Sequence, residues 1–157
     1  MRRISVLLLA ALATTAMSVH AETASPALTA EIIGIVKAQW AAENQKDLAE
    51  SQKNIAEDYT ELNSEAATRV EGRALAGRIA EALNKDPGTS LASEMLNPKV
   101  QVYGDVAILS YNYLGYSQDK DGTVKPNRAK STRVYARQGG KWVLVHANFA
   151  ADPLPQD

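Results

Sequence analysis

The feature that most constrains the fold of this chain is a glycine pair, Gly139-Gly140, between two runs of strand-forming residues. Both glycines can adopt positive φ angles without steric cost, as the two-residue turns of tight β-hairpins require. The flanking runs, 130–138 and 141–149, contain several β-branched and aromatic residues, which favour extended structure. The pattern therefore predicts a β-hairpin near the carboxyl end of the chain.

A two-residue turn fixes how the two strands pair. Gln138 then lies opposite Lys141, and counting outwards predicts which side chains share one face of the hairpin. The predicted cross-strand pairs are Arg137 with Trp142, Tyr135 with Leu144, Arg133 with His146, and Ser131 with Asn148. This face changes from apolar to polar with distance from the turn, so its far end is predicted to form the floor of a pocket.

The amino-terminal residues have the pattern of a secretory signal peptide. Arg2 and Arg3 precede an apolar run over residues 4–17, and Val19-His20-Ala21 resembles a cleavage site. We expect a signal peptide over residues 1–21 and a periplasmic or secreted mature protein. The apolar run is shorter than the roughly 20 residues of a membrane helix, so no membrane partner is expected after cleavage.

Composition excludes several classes of function for the exported part. Cleavage removes two basic residues, which leaves 15 basic and 18 acidic side chains and a net charge of −3. This charge gives no electrostatic reason to expect nucleic acid as a partner. The chain has no Cys, and His146 is the one His after residue 21. Because His and Cys are the usual ligands of zinc-type sites, no metal is expected.

An acidic turn gives a weak metal signal. Asp119, Asp121 and Gly122 resemble the start of a calcium loop, but the later ligands of such a loop are missing. No motif for an organic cofactor is visible either. We therefore expect neither a metal nor a cofactor.

The first half of the exported part predicts helices. Ser25-Pro26 is typical of a helix start, and an apolar stripe at helical spacing extends to about Asn44. A second short helix is predicted from Asp47 to Ile55, a strand over 58–63 in which Tyr59 and Glu61 share one side, and a third helix from Arg73.

The second half predicts antiparallel strands. They cover residues 91–96, 99–103 and 106–117, followed by the hairpin. Helices followed by antiparallel strands indicate an α+β domain, in which a curved sheet wraps around the helices. We expect one domain over residues 22–150 and an extended tail over 151–157.

Several strand segments resemble a known family in order and spacing. They are Leu96-Asn97-Pro98, Gly104-Asp105, Thr132-Arg133-Val134, Gly140-Lys141-Trp142 and Val145-His146. The chain resembles the association (hub) domain of calcium/calmodulin-dependent protein kinase II and its bacterial relatives. The resemblance implies the fold of the NTF2-like and SnoaL-like superfamily, a cone-shaped half-barrel with a pocket at its wide end. It also implies a homodimer formed through the sheet, which kinase hubs assemble further into rings. Kinase catalytic motifs do not occur in the chain.

The family's pocket carries three arginines that attract carboxylate ligands, and this chain retains one of them. Arg133 stands in the Thr-Arg-Val motif, whereas Tyr113 and Phe149 occupy the places of the other two. Asn148 replaces the second His of the family's His-x-His motif. The resemblance also implies that Tyr111 and Tyr113 face the same cavity as Arg133. These departures put the family's anionic ligand in doubt for this chain.

Two functions fit these observations. The first is a non-catalytic exported module that self-associates and holds a small organic ligand or a peptide. Its pocket would be lined by Arg133, His146, Asn148, Tyr111, Tyr113 and Tyr59. The second is a cofactor-free enzyme resembling ketosteroid isomerase or the polyketide cyclases, with His146 or Glu61 as the base. In that enzyme Arg133 or Tyr113 would stabilise an enolate. We prefer the binding module, because no acid–base constellation stands out.

Structural roles are an alternative for the same side chains. A buried Arg133 could be paired with Glu61 or with a backbone carbonyl, because a buried charge needs a partner in any case. His146 could be a hydrogen-bonded core residue, since a catalytic base also needs an orienting partner.

Overall fold

The computed structural model describes residues 22–152 apart from residues 84, 86 and 87. The elements in chain order are β1 (Glu22–Thr23), α1 (Pro26–Asn44), α2 (Leu48–Ser51), β2 (Ile55–Leu62), β3 (Val70–Glu71), α3 (Arg73–Leu83), β4 (Thr89–Tyr103), β5 (Val106–Gln118), β6 (Val124–Gln138) and β7 (Lys141–Ala151). The predicted signal peptide and residues 153–157 of the predicted tail lie outside the described residues. No helix in the described part of the chain has the length and apolar character needed to cross a membrane.

The strands form one seven-stranded sheet in the order β1-β4-β5-β6-β7-β2-β3. Neighbouring strands are antiparallel except β2 and β7, which run parallel. The sheet is open, because β1 and β3 lie at opposite edges and do not pair with each other. This arrangement of an antiparallel-rich sheet with helices from the first half of the chain confirms the predicted α+β class.

Helix α1 supplies the layer that packs on the sheet. It begins where the sequence predicts, with Pro26 in the first turn and the Ser25 hydroxyl accepting a hydrogen bond from the Leu28 N–H at 3.2 Å. A cap of this kind stabilises a helix by about 1 kcal/mol. Ile32 and Val36 are fully buried against the sheet. The helix therefore covers one face of the sheet, which we call the inner face.

The inner face is built by alternate residues of the long strands. Those that form the buried core with α1 are Val100, Val102, Ala107, Leu109, Tyr111, Tyr135, Trp142, Leu144 and Ala147. The intervening side chains lie on the opposite side, which we call the outer face. Because side chains alternate along a strand, each residue's position relative to this core decides which of the two faces it serves.

Several element boundaries differ from the sequence-based expectation. Helix α2 ends at Ser51, so Ile55 opens β2 instead of closing a helix. β4 is one strand through Asn97-Pro98, with an irregularity between Leu96 and Lys99 that accommodates the missing proline N–H. β7 runs to Ala151, one residue past the expected domain boundary.

The hairpin turn is the one that the glycine pair predicts. Gly139 and Gly140 have φ angles of 56° and 79°, as a two-residue turn with both φ angles positive requires. The cross-strand pairs nearest the turn are confirmed: Gln138 with Lys141, Arg137 with Trp142, and Tyr135 with Leu144.

Beyond Leu144 the predicted register is wrong. Val145 is an extra residue in β7, so Tyr135 pairs with Leu144 but Val134 pairs with His146. Such a β-bulge moves every later side chain of its strand to the other face. Arg133 consequently lies opposite Ala147 and not His146, and Ser131 lies opposite Phe149 and not Asn148.

Candidate functional site

A buried arginine lies at the centre of the inner face. Arg133 on β6 is 4% exposed. Its Nε donates to the Tyr111 hydroxyl at 3.1 Å, and its Nη1 donates to the Gln39 Oε1 at 2.6 Å. Its Cζ lies 5.0 Å from the centroid of the Phe149 ring. Aromatic rings and one amide therefore hold the guanidinium, and all of these partners are neutral.

The charge of Arg133 lacks a direct counter-ion. In the part of the chain that the structure describes, no carboxylate forms an ion pair with it. Burial opposes the charge, but electrostatic interaction with Tyr111 and Tyr135 outweighs this effect, and the pKa of Arg133 stays above its ordinary value. Since a buried unpaired charge is costly, an acceptor carrying negative charge would be stabilised here.

Gln39 connects Arg133 to a carboxylate at the surface. The Gln39 Nε2 donates to the Glu43 Oε1 at 2.9 Å, while its Oε1 accepts from Arg133. Glu43 is exposed and lines a cavity of about 220 Å³ that is also bordered by α2 and the end of α3. Desolvation by the surrounding protein raises the pKa of Glu43, and Arg133 and Gln39 offset part of this rise. Solvent screening reduces the effect at such an exposed position.

Tyrosines form the wall next to Arg133. Tyr111 and Tyr113 lie on the inner face with it, as the sequence comparison implied. Trp40 on α1 packs edge-on against both rings, with centroid distances of 6.0 and 5.3 Å. Tyr135 is fully buried, and its hydroxyl meets no hydrogen-bond partner among the described residues. Burial raises the pKa of Tyr135 to about 12, although Arg133 lowers it in part.

A second polar group lies on β2. The Tyr59 hydroxyl donates to the Glu61 Oε2 at 2.6 Å, so these residues share one side of the strand, as predicted. Asn63 donates to the other carboxylate oxygen of Glu61. Burial, together with Glu61, raises the pKa of Tyr59. Glu61 and Arg133 flank Ala147 from opposite sides, so their backbones lie two strand spacings apart, about 10 Å.

His146 and Asn148 lie on the outer face, away from Arg133. The His146 Nδ1 is 2.8 Å from the Thr60 Oγ1 of the neighbouring strand, and Asn148 is exposed. The predicted polar cluster is therefore divided between two faces by the bulge at Val145. Of the six predicted pocket residues, the structure brings together four on the inner side, namely Arg133, Tyr111, Tyr113 and Tyr59. Whether they bind a ligand stays a prediction.

Gln39 and Glu43 were not among the residues that the sequence indicated. Gln39 follows Val36 by three positions on α1, which places it on the helix face that packs on the sheet. A polar residue on an otherwise apolar helical stripe was the available signal. Glu43 is one turn further, where it reaches the surface.

A larger cavity, of about 500 Å³, lies beside the middle of β4, the second half of β5 and the beginning of β6. Its lining residues include Leu96, Tyr113, Tyr116, Arg128 and Asp152. Arg128 and Asp152 form an ion pair there at 3.2 Å. Tyr113 therefore borders both this cavity and the aromatic wall near Arg133.

Comparison with known proteins gives a match over most of the chain. The family model described as "Calcium/calmodulin dependent protein kinase II association domain" matches residues 28–153. A calcium/calmodulin-dependent protein kinase type II of Caenorhabditis elegans is 29% identical over 105 residues, which are 62% of this chain and 14% of that kinase. The chain thus spans only a small part of the kinases that it matches.

Solved structures show the same fold. The association domain of the C. elegans kinase has a TM-score of 0.69 and 24% identity, covering 80% of this chain and 96% of that one. An NTF2-like protein of unknown function from Pseudomonas putida has a TM-score of 0.69 and 22% identity, covering 82% and 89%. A putative ketosteroid isomerase from Parabacteroides distasonis has a TM-score of 0.64 and 20% identity, covering 77% and 85%. These likenesses confirm the predicted NTF2-like fold.

Proposed function

Because this chain belongs to the calcium/calmodulin-dependent protein kinase II association domain family, we propose that it is an exported, non-catalytic module that self-associates and holds a small organic ligand. The observation that carries the proposal is the buried guanidinium of Arg133, with neutral partners only among the described residues. Tyr111, Tyr113 and Trp40 supply an aromatic wall beside it. Such a combination of apolar lining with few polar groups is typical of small-molecule sites.

The chemistry of Arg133 selects the kind of ligand. A guanidinium has five N–H donors and no acceptor, and two of its donors have partners among the described residues. No carboxylate among the described residues accepts a hydrogen bond from it. The proposed ligand therefore presents an oxygen acceptor to Arg133 and an apolar body to the rings.

The test compares Arg133→Met with Arg137→Met. Arg137 lies on the same strand, is exposed, and stacks on Trp142 at 4.5 Å from the ring centroid. We expect native mass spectrometry of the parent protein to reveal a copurifying small molecule, and thermal melting to detect its re-addition. The ligand should be lost in Arg133→Met and retained in Arg137→Met. Equal retention in both variants would exclude the Arg133 site.

Export is a separate part of the proposal and needs its own measurement. The signal-like residues 1–21 support it. In a Gram-negative host we expect the mature protein to begin at Glu22 and to fractionate with the periplasm or the medium. An intact amino terminus in the cytoplasmic fraction would contradict export.

A small enzyme is the second candidate, and the Tyr59–Glu61 pair favours it. The Glu61 carboxylate accepts a hydrogen bond from the Tyr59 hydroxyl at 2.6 Å. Glu61 and Arg133 lie on either side of Ala147 on the inner face, so a base and a cation occur on the same face of the sheet. His146 cannot share this site from the outer face. Glu61→Gln would remove the base while retaining its size. Exchange of the α-hydrogens of a cyclic ketone for deuterium, lost in this variant but not in His146→Ala, would support the enzyme over the binding module.

A further inference from the structure

Gln39 occupies the position on Arg133 that a ligand oxygen would need. Its Oε1 is 2.6 Å from the guanidinium Nη1, a short distance typical of hydrogen bonds from charged donors. An amide oxygen resembles a carboxylate oxygen in size and as an acceptor but carries no net charge. The Gln39 side chain is therefore a neutral substitute, built into the chain, for an anionic acceptor.

Glu43 fixes the orientation of that substitute. The two residues are four apart on α1, where side chains are neighbours on the helix surface, and the Gln39 Nε2 donates to Glu43 at 2.9 Å. A guanidinium offers only donors and a carboxylate only acceptors. Turning the amide over would oppose donor to donor at Arg133 and acceptor to acceptor at Glu43. One orientation of Gln39 is thus strongly preferred.

We propose that Gln39 is the gate of the Arg133 site: a ligand carboxylate displaces the Gln39 amide oxygen from Arg133, and Glu43 sets how readily Gln39 leaves. This inference rests on the proposed binding function, because it assigns an internal competitor to the same guanidinium. A carboxylate can form two parallel hydrogen bonds with Nη1 and Nη2, whereas the amide oxygen uses Nη1 alone.

The gate also determines selectivity. A neutral amide or ketone that replaced Gln39 would exchange one uncharged acceptor for another and gain little at Arg133. A carboxylate would add the negative charge that the buried guanidinium lacks. The displaced Gln39 keeps Glu43 as a partner, and Glu43 itself lines the 220 Å³ cavity. The site is therefore expected to select anionic ligands over neutral ones of the same shape.

The first experiment uses Gln39→Ala and formate, the smallest carboxylate, with formamide as its neutral counterpart. Sodium chloride keeps the ionic strength equal, and thermal melting reports binding. Because the competing hydrogen bond is to a charged group, we expect formate to bind Gln39→Ala about tenfold more tightly than the parent protein. Formamide should show no such gain. Equal formate affinity in parent and variant, or an equal gain with formamide, would overturn the gate.

Two further variants decide the matter even if Gln39→Ala does not fold. Gln39→Glu places a carboxylate on Arg133 within the chain and should abolish formate binding. Glu43→Gln removes the charge that retains Gln39, so formate should bind several-fold more tightly. Glu31→Gln, which neutralises another exposed carboxylate of α1, should leave the affinity unchanged. The gate is wrong if Gln39→Glu and Glu43→Gln both bind formate like the parent.

The outcomes also separate the gate from the proposed function. Tighter formate binding by Gln39→Ala, with no organic ligand found on the parent protein, would keep the gate and remove the small-molecule function. An organic anion that binds parent and Gln39→Ala with equal affinity would keep the function and remove the gate. Adding Arg133→Met to Gln39→Ala should abolish formate binding, and continued binding would overturn the assignment of formate to Arg133.

Discussion

Two tyrosine hydroxyls near Arg133 have opposite energetic roles. Tyr111 accepts a hydrogen bond from the guanidinium at 3.1 Å, whereas the hydroxyl of fully buried Tyr135 has no partner among the described residues. A buried polar group without a partner costs free energy, while a hydrogen bond to a charged group contributes more than a neutral one. The same deletion, of one hydroxyl, should therefore change stability in different directions at the two positions.

We expect Tyr135→Phe to leave the free energy of unfolding unchanged or to raise it by up to about 1 kcal/mol, since it removes an unpaired hydroxyl. Tyr111→Phe, the matched control on the neighbouring strand, should lower it by about 1.5–3 kcal/mol. Urea unfolding monitored by circular dichroism measures both. A clear loss of stability in Tyr135→Phe would mean that its hydroxyl has a partner in solution, such as a bound ligand.

Tyr135 also predicts a loss of stability at alkaline pH. Its pKa in the folded protein is about 12, against about 10 in an unfolded chain. Between these values the unfolded chain releases a proton that the folded chain keeps, so the free energy of unfolding is unaffected below pH 10 and falls as the pH rises from 10 to 12. The full loss is about 3 kcal/mol. Unfolding measured from pH 8.5 to 11.5 should show a smaller loss in Tyr135→Phe, and an identical loss would contradict the prediction.

At the scale of elements, strong local signals were enough to predict most boundaries. The cap at Ser25 fixed the start of α1, and the glycine pair fixed the turn and the first pairs of the hairpin. The bulge at Val145 was not predictable from the sequence, because Leu144-Val145-His146 carries no Gly or other residue that marks an irregularity. The face of each candidate residue was consequently predicted correctly on β2, β5 and β6 but wrongly on β7.

The polar contact between β2 and β7 gives a prediction for the outer face. Thr60 and His146 form a side-chain hydrogen bond at 2.8 Å across the parallel strand pair. We expect Thr60→Ala and His146→Ala each to lower stability by about 1 kcal/mol. The double variant should lose little more than either single one, because both remove the same interaction. Urea unfolding of all three variants completes the cycle.

The ligand site provides the control for this cycle. Because Thr60 and His146 lie on the face opposite Arg133, neither variant should change formate binding in the Gln39→Ala background. A loss of formate affinity in His146→Ala would show that the imidazole reaches the inner site, and it would contradict the division of the two faces.

For the molecule as a whole, the outer face is where self-association is expected. Ile108, Val134 and Val143 are apolar and only half-buried there, and Ile108 pairs directly with Val134 on the neighbouring strand. An apolar patch in the middle of a sheet is a suitable surface for a second copy of the chain. The inner face is already covered by α1.

Val134→Lys should therefore convert the proposed dimer to a monomer, because a charge in an apolar interface is strongly unfavourable. Val124→Lys is the control. Val124 is the first residue of the same strand and is 49% exposed, so this substitution should leave assembly unchanged. Light scattering at micromolar concentration measures the mass, and thermal melting checks that both variants are folded. A parent protein that is monomeric throughout would exclude self-association.

The bulge at Val145 decides which residues of β7 reach the pocket. Leu144 before it and Ala147 and Phe149 after it share the inner face only because Val145 is left unpaired. A relative in which Val145 paired regularly with Val134 would turn His146 and Asn148 towards α1, in place of Ala147 and Phe149. Loss of the bulge thus exchanges a site where an aromatic ring covers Arg133 for one where an imidazole accompanies it. Deletion of Val145 would instead keep His146 opposite Val134 and leave both faces unchanged.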